Sequence, residues 1–220
     1  MNTSKKLLAG AVAASLALSA MAPVANAEVA GSVGVASSYL WRGIDLGAGA
    51  GTPAVSGDLG YSNSGFYTGI WASSGDYTNG TEYDLYLGYG NEVGDFSYDV
   101  SLWSYQYPTL ADNPATPDME ESPGIGDLME AVVALGYGPV TATYYHGLQD
   151  LEEYWYATLD ASFGAFNVKY GQHEDDLSHI DLSYGYNDNL SFTLSQVIDN
   201  VDDSYDDDLN FVVSYSLPIE

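Results

Sequence analysis

The chain has no cysteine. It can therefore form no disulfide framework and no thiolate chemistry, and its stability must come from backbone pairing and packing. Basic residues are almost as scarce. Four lysines and arginines stand against 31 acidic residues, and the formal net charge is −27. Lys5 and Lys6 lie at the extreme N-terminus, so Arg42 and Lys169 are the basic residues of all that follows. Such a balance excludes nucleic acid and anionic membrane surfaces as partners, because both need basic patches. After residue 27 no run approaches 18 consecutive apolar residues, so no transmembrane helix is expected. No G-x-S-x-G, H-E-x-x-H or phosphate loop occurs, and none of His146, His173 and His179 has a serine at a suggestive spacing. Neither enzymatic activity nor a cofactor is expected.

The N-terminus must be set aside before any fold argument. Lys5 and Lys6 precede a small-apolar run over 7–22, and Ala25-Asn26-Ala27 follows. A basic segment, an apolar segment and an A-x-A site predict a cleaved signal peptide over 1–27, leaving 28–220 as a single domain.

What the chain does have is 20 tyrosines, 24 glycines and 14% aromatic residues. That content does not fit disorder, acidic though the chain is, because aromatics favour pleated, half-buried surfaces. Period-two alternation recurs throughout. The first predicted strand runs over 29–44, with Tyr39 and Trp41 on one face and Ser38 and Arg42 on the other. The second, 53–61, sets Val55, Leu59 and Tyr61 against Ser56 and Asp58. The third, 66–74, has ambiguous parity, because Ile70 and Trp71 fall on opposite faces. The fourth, 81–89, is the cleanest: Tyr83, Leu85, Leu87 and Tyr89 alternate with Glu82, Asp84 and Tyr86. The fifth sets Phe96, Tyr98, Val100 and Leu102 against Asp99, Ser101 and Trp103. Seven more follow, the last ending with Phe211, Val213, Tyr215 and Leu217 on one face.

Twelve strands result, and their connections alternate in length. Short turns fall at 62–65, 90–95, 136–139, 164–165 and 187–189. Longer loops fall at 45–52, 75–80, 108–126, 147–152, 174–178 and 199–208. This spacing predicts a twelve-stranded antiparallel up-and-down transmembrane β-barrel with both termini at the short-turn end. Lipid cannot hydrogen-bond a backbone, so a spanning sheet must close on itself, and closure needs no disulfide. A soluble β-sandwich is the rival, but it rarely repeats an apolar outer face over so many regular hairpins.

Particular stretches then carry a family likeness. Ser38-Tyr39-Leu40-Trp41-Arg42-Gly43-Ile44, Pro53-Ala54-Val55, Ser64-Gly65-Phe66-Tyr67-Thr68-Gly69-Ile70-Trp71-Ala72-Ser73 and Glu82-Tyr83-Asp84-Leu85-Tyr86-Leu87-Gly88-Tyr89 resemble the porin family labelled TorF or Gcw_chp. The likeness is strong over 29–107 and again near 127–145. It implies an outer-membrane barrel of a Gram-negative bacterium and, by name, a pore. Glu220 after Pro218 departs from the aromatic ending common in such barrels.

Parity places Asp58, Glu82, Asp84, Asp99, Glu130, Asp160 and Asp181 on the inner face, opposed by Arg42, Lys169, His179 and His173. Rings of carboxylates concentrate cations and repel anions. The expected function is a passive channel for small hydrophilic solutes, with cations preferred. The alternative is a non-conducting structural or adhesin-like barrel in which inner salt bridges stiffen and fill the lumen. Expected partners are outer-membrane lipid, lipopolysaccharide and small solutes or cations. Arg42 is expected at the loop end of the first strand, pairing with Asp45, Asp58 or Asp206–Asp208. Tyr39, Trp41, Tyr89, Tyr98 and Trp155 are expected in an interfacial girdle. Asp203, Asp206 and Asp208, with Asp199, Asp202 and Asp207, are weak calcium candidates in a loop better read as solvated acid.

Overall fold

The structure is a computed structural model, and it describes residues 27–47, 52–109, 122–200 and 205–219. The strands in chain order are β1 (Glu28–Ala36), β2 (Leu40–Trp41), β3 (Ile44–Asp45), β4 (Ala54–Asn63) and β5 (Phe66–Asp76). Then come β6 (Gly80–Val93), β7 (Phe96–Gln106), β8 (Leu128–Tyr137), β9 (Val140–Gln149) and β10 (Trp155–Phe163). The last are β11 (Phe166–His173), β12 (Ser178–Gly185), β13 (Leu190–Asp199) and β14 (Asn210–Ile219). All but β2 and β3 form a closed twelve-stranded antiparallel barrel. Each stave pairs with its neighbour in the chain, and β1 closes the ring between β4 and β14. Among the described residues β2 and β3 pair only with each other.

Closure rests on alternation. Leu59, Leu87, Val100, Val133, Leu135, Leu159 and Phe211 are exposed on the outside. Their chain neighbours Tyr86, Ser101, Val132, Ala134, Thr158 and Val212 are buried inside. The ambiguity of the third predicted strand resolves as Ile70 outward and Trp71 inward, where Trp71 lies 6.2 Å from Tyr39. Aromatics gather on the outside near the short turns: Tyr61, Phe66, Tyr89, Phe96, Phe163, Phe166 and Tyr184 are all exposed there. Phe166 and Tyr184 touch across adjacent strands at 4.9 Å. At the loop end Trp155 and Tyr144 stack outward at 6.2 Å. An apolar belt between aromatic girdles, around a sheet without a free edge, is the surface of a barrel immersed in lipid.

Four of the short turns are two residues long, at 64–65, 94–95, 138–139 and 164–165. β6 runs four residues past its expected end at Tyr89, so the turn expected over 90–95 shrinks to Gly94-Asp95. The predicted signal peptide up to Asn26, most of the 108–126 loop, Asp202, Asp203 and Glu220 lie outside the described residues.

The first predicted strand needs correction. It does not run from 29 to 44 as one stave. Pairing with the wall ends near Ser37, whose amide donates to the Val213 carbonyl at 2.9 Å. Its hydroxyl accepts from the Val213 amide at 3.0 Å. The chain then leaves the wall and turns into the lumen as the β2–β3 hairpin. The physical cause is the turn Arg42-Gly43, in which both residues have positive φ, 49° and 86°. That is the geometry of a two-residue hairpin turn and cannot continue a strand.

Candidate functional site: the lumen and its inward hairpin

The hairpin is short but well tied. Leu40 pairs with Asp45 and Trp41 with Ile44. The Leu46 amide donates to the Tyr39 carbonyl at 2.8 Å, and the Tyr77 amide of the next loop donates to the Leu46 carbonyl at 2.9 Å. The Ser38 hydroxyl donates to the Asp45 carboxylate, which also accepts from the Gly47 amide. Asp45, expected as a partner of Arg42, therefore caps its own hairpin.

At the tip, Arg42 is 5% exposed. Its Nη1 and Nη2 donate to Oε1 and Oε2 of Glu130 at 2.8 and 2.6 Å. This bidentate pair corrects the expected partners: Arg42 lies inside because the whole hairpin does, and it reaches a carboxylate 88 positions away. Glu130 also accepts from the Tyr105 hydroxyl at 2.5 Å. The guanidinium carbon lies 4.6 Å from the ring centre of Trp41, 4.5 Å from Tyr145, 4.8 Å from Tyr156 and 5.4 Å from Tyr154. Burial alone would disfavour its charge. The adjacent Glu130 carboxylate outweighs that, so the Arg42 pKa stands above the ordinary arginine value.

Two histidines seat the tip. Nε2 of His173 lies 2.9 Å from the Arg42 carbonyl oxygen and must donate to it. Nδ1 then accepts from the Tyr154 hydroxyl at 3.1 Å, while that hydroxyl accepts from Arg42 Nη1 at 3.0 Å. Burial pushes the Tyr154 phenol up to about 12, with Arg42 pulling the other way, so it keeps the proton it donates. His179, fully buried, donates from Nδ1 to Asp181 at 2.8 Å and accepts at Nε2 from Tyr156 at 2.8 Å. The ring occupies space that two glycines leave. A Cβ on Gly43 would stand 2.4 Å from its Cγ, and one on Gly171 would stand 2.1 Å from its Nε2.

Beside this cage lies an acidic pair on one stave. Glu82 accepts from Tyr39 at 2.5 Å and from Tyr107 at 2.8 Å. Asp84, two residues on and facing the same way, is wholly buried, and among the described residues neither carboxylate oxygen has a hydrogen-bond partner.

The inner face therefore divides in two. Toward the loops, Arg42, Glu82, Asp84, Glu130, His179 and Asp181 are all buried. They face inward as expected, but they are packed against protein rather than lining open water, and this corrects their reading as pore-lining residues. Toward the short turns, Asp58, Asp99, Asp160 and Lys169 are only half-buried. Tyr86 donates to Asp58 and Tyr67 to Asp99, both at 2.8 Å. Lys169 sits in register between Asp160 and Asp181, with Nζ 3.6 Å from Asp160.

Tyr39 and Trp41, expected in the lipid-facing girdle, are instead inside, since their alternation belongs to the hairpin. Tyr145, Tyr154, Tyr156 and Tyr105 were not singled out by sequence reasoning. Tyr145 and Tyr156 alternate with the outward Tyr144 and Trp155, a signal that was present but easily lost beside an aromatic on each side. Among the loop acids, Asp206, Asp207 and Asp208 are exposed with carboxylates within 4.8 Å of one another.

The family model described as "Bacterial protein of unknown function (Gcw_chp)" matches residues 20–208. The chain belongs to this family. No curated protein matches it. Among solved structures, a doubly substituted OccD1 (OprD) is similar at a TM-score of 0.42 and 13% identity, over 87% of this chain and 65% of that one. The outer membrane protein OprD from Pseudomonas aeruginosa has a TM-score of 0.38 at 11% identity, over 79% and 61%. Acinetobacter baumannii OccAB3 has 0.38 at 10%, over 89% and 66%. This Gcw_chp chain thus spans less than two thirds of each.

Proposed function

We propose that this Gcw_chp protein is an outer-membrane barrel that passes small hydrophilic solutes by passive diffusion, prefers cations, and has its narrowest point at the Arg42 hairpin. One observation carries the reading: a closed barrel whose outside is apolar and whose inner face toward the short turns holds half-buried Asp58, Asp99 and Asp160 with Lys169 as the one lysine or arginine there among the described residues. Carboxylates inside low-dielectric walls focus a negative potential on the path. The mechanism needs no cofactor and no chemical step. On this reading the short turns lie in the periplasm and the loops face outward. The partners are then lipid, lipopolysaccharide and the permeating solute, and Asp206–Asp208 form part of a hydrated acidic rim.

A second reading has its own support. The burial of Arg42, Glu130, Asp84 and His179 favours a barrel filled toward the loops, with a structural rather than conducting role. Purified protein in a planar bilayer separates the two. Discrete currents whose reversal potential in a salt gradient follows the cation support the channel. Silent bilayers with folded protein inserted favour the filled barrel, and an anion-following potential removes the role given to the carboxylates.

A further inference from the structure

The surroundings of Arg42 exceed what an internal salt bridge requires. Glu130 alone would neutralise it. Yet the guanidinium is also enclosed by aromatic rings, and only Trp41 among them belongs to the hairpin. Glu130 comes from β8, Tyr105 from β7, Tyr145 from β9 and Tyr156 from β10, while Tyr154 immediately precedes β10. These residues are held by the wall. Glu130 is anchored by Tyr105, and Tyr156 by His179. The carboxylate and three of the four rings thus come from the wall, and the hairpin supplies the cation and the Trp41 ring.

We infer that this patch of the lumen wall is a binding site for organic cations of the guanidinium class, and that Arg42 occupies it as an internal ligand. The chemistry is specific. A carboxylate engaged through both oxygens matches the parallel N–H bonds of a planar guanidinium, and a compact ammonium cannot reproduce that fork. Aromatic faces within about 6 Å attract a cation through their quadrupoles, most strongly when water is excluded. The acidic inner face draws such cations in. A tethered Arg42 outcompetes a free solute through its high effective concentration, so the site opens to solute when the hairpin withdraws. As a statement about what crosses the barrel, the inference rests on the channel reading. Binding itself does not, and the test reads binding in detergent without current.

The test uses the full-length Arg42→Ala protein, whose cage lacks its guanidinium. Methylguanidinium reproduces the lost group, N-methylurea has the same shape without the charge, and sodium chloride matches ionic strength. At about 10 mM, methylguanidinium is expected to raise the melting temperature of Arg42→Ala by about 2–4 °C over both controls. It should do so neither in wild type nor in the Arg42→Ala, Glu130→Gln double variant. If Arg42→Ala folds poorly, the same comparison is read from the yield of heat-modifiable barrel refolded with each additive. Equal effects of the three additives, or a methylguanidinium effect that survives loss of Glu130, overturn the inference and leave Arg42 as an anchor of the hairpin only.

Discussion

Arg42 is the residue on which the inside of this barrel turns. Breaking a buried ion pair by removing one partner strands the other charge and costs about 3–5 kcal/mol. Arg42→Ala should therefore lower the urea midpoint of the folded protein by a corresponding amount and make any pore more cation-selective. Arg42→Lys should recover only part of the stability, because lysine loses the bidentate geometry and the flat stacking face. A stability unchanged in Arg42→Ala would contradict the burial of this pair. Asp84 predicts the opposite sign. It is fully buried beside Glu82, and its carboxylate oxygens have no hydrogen-bond partner among the described residues. Asp84→Asn should leave the protein as stable or gain about 1–3 kcal/mol. A marked loss in the same urea titration would mean that Asp84 has a partner beyond these side chains. At this scale the sequence yielded direction only in part, and not company. That Lys169 lies on the inner face follows from alternation, whereas Arg42 is inside because its whole hairpin is; even its inward direction does not follow from the sequence. That Arg42 meets Glu130 does not follow either, because only the closed ring brings β8 to the hairpin.

The element that sequence reasoning misread is the hairpin. Tyr39, Leu40 and Trp41 continue the alternation of β1, so periodicity alone extends the stave to Ile44. The contrary signals were Ser37-Ser38, where wall pairing stops, and Arg42-Gly43, a pair able to take positive φ. The staves themselves were legible nearly throughout, even where a large aromatic such as Trp103 lies on the inner, mostly polar face. Each strand had to present one face to lipid, and a slip by one residue would have reversed every side chain. The seat of the hairpin gives a sharp test. Gly43 has φ 86° and leaves no room for a methyl group beside His179. Gly43→Ala should displace the tip, shift Trp41 emission toward that of a hydrated indole, and cost about 1–3 kcal/mol. Unchanged emission and stability would show that the tip does not rest on His179.

For the whole molecule, closure explains how a chain without cysteine and with so little basic charge can be stable. Each stave is hydrogen-bonded on both sides, and the acids of the described residues lie on the inner face or in the hairpin, turns and loops, away from lipid. The barrel was legible in the sequence because strand length, alternation and connection length all follow from spanning a bilayer. The interior was not, because whether a lumen is open or filled depends on where one loop goes. The central claim is that the hairpin is the constriction of a cation-preferring channel. The most direct measurement is single-channel conductance, with salt-gradient reversal potentials, of wild type against a protein in which residues 38–46 are replaced by a short Gly-Ser linker. Both should first be shown to be folded by heat-modifiable mobility. The account predicts a larger conductance in the shortened protein with cation preference retained. A folded, inserted, shortened barrel that carries no more current than wild type would contradict it.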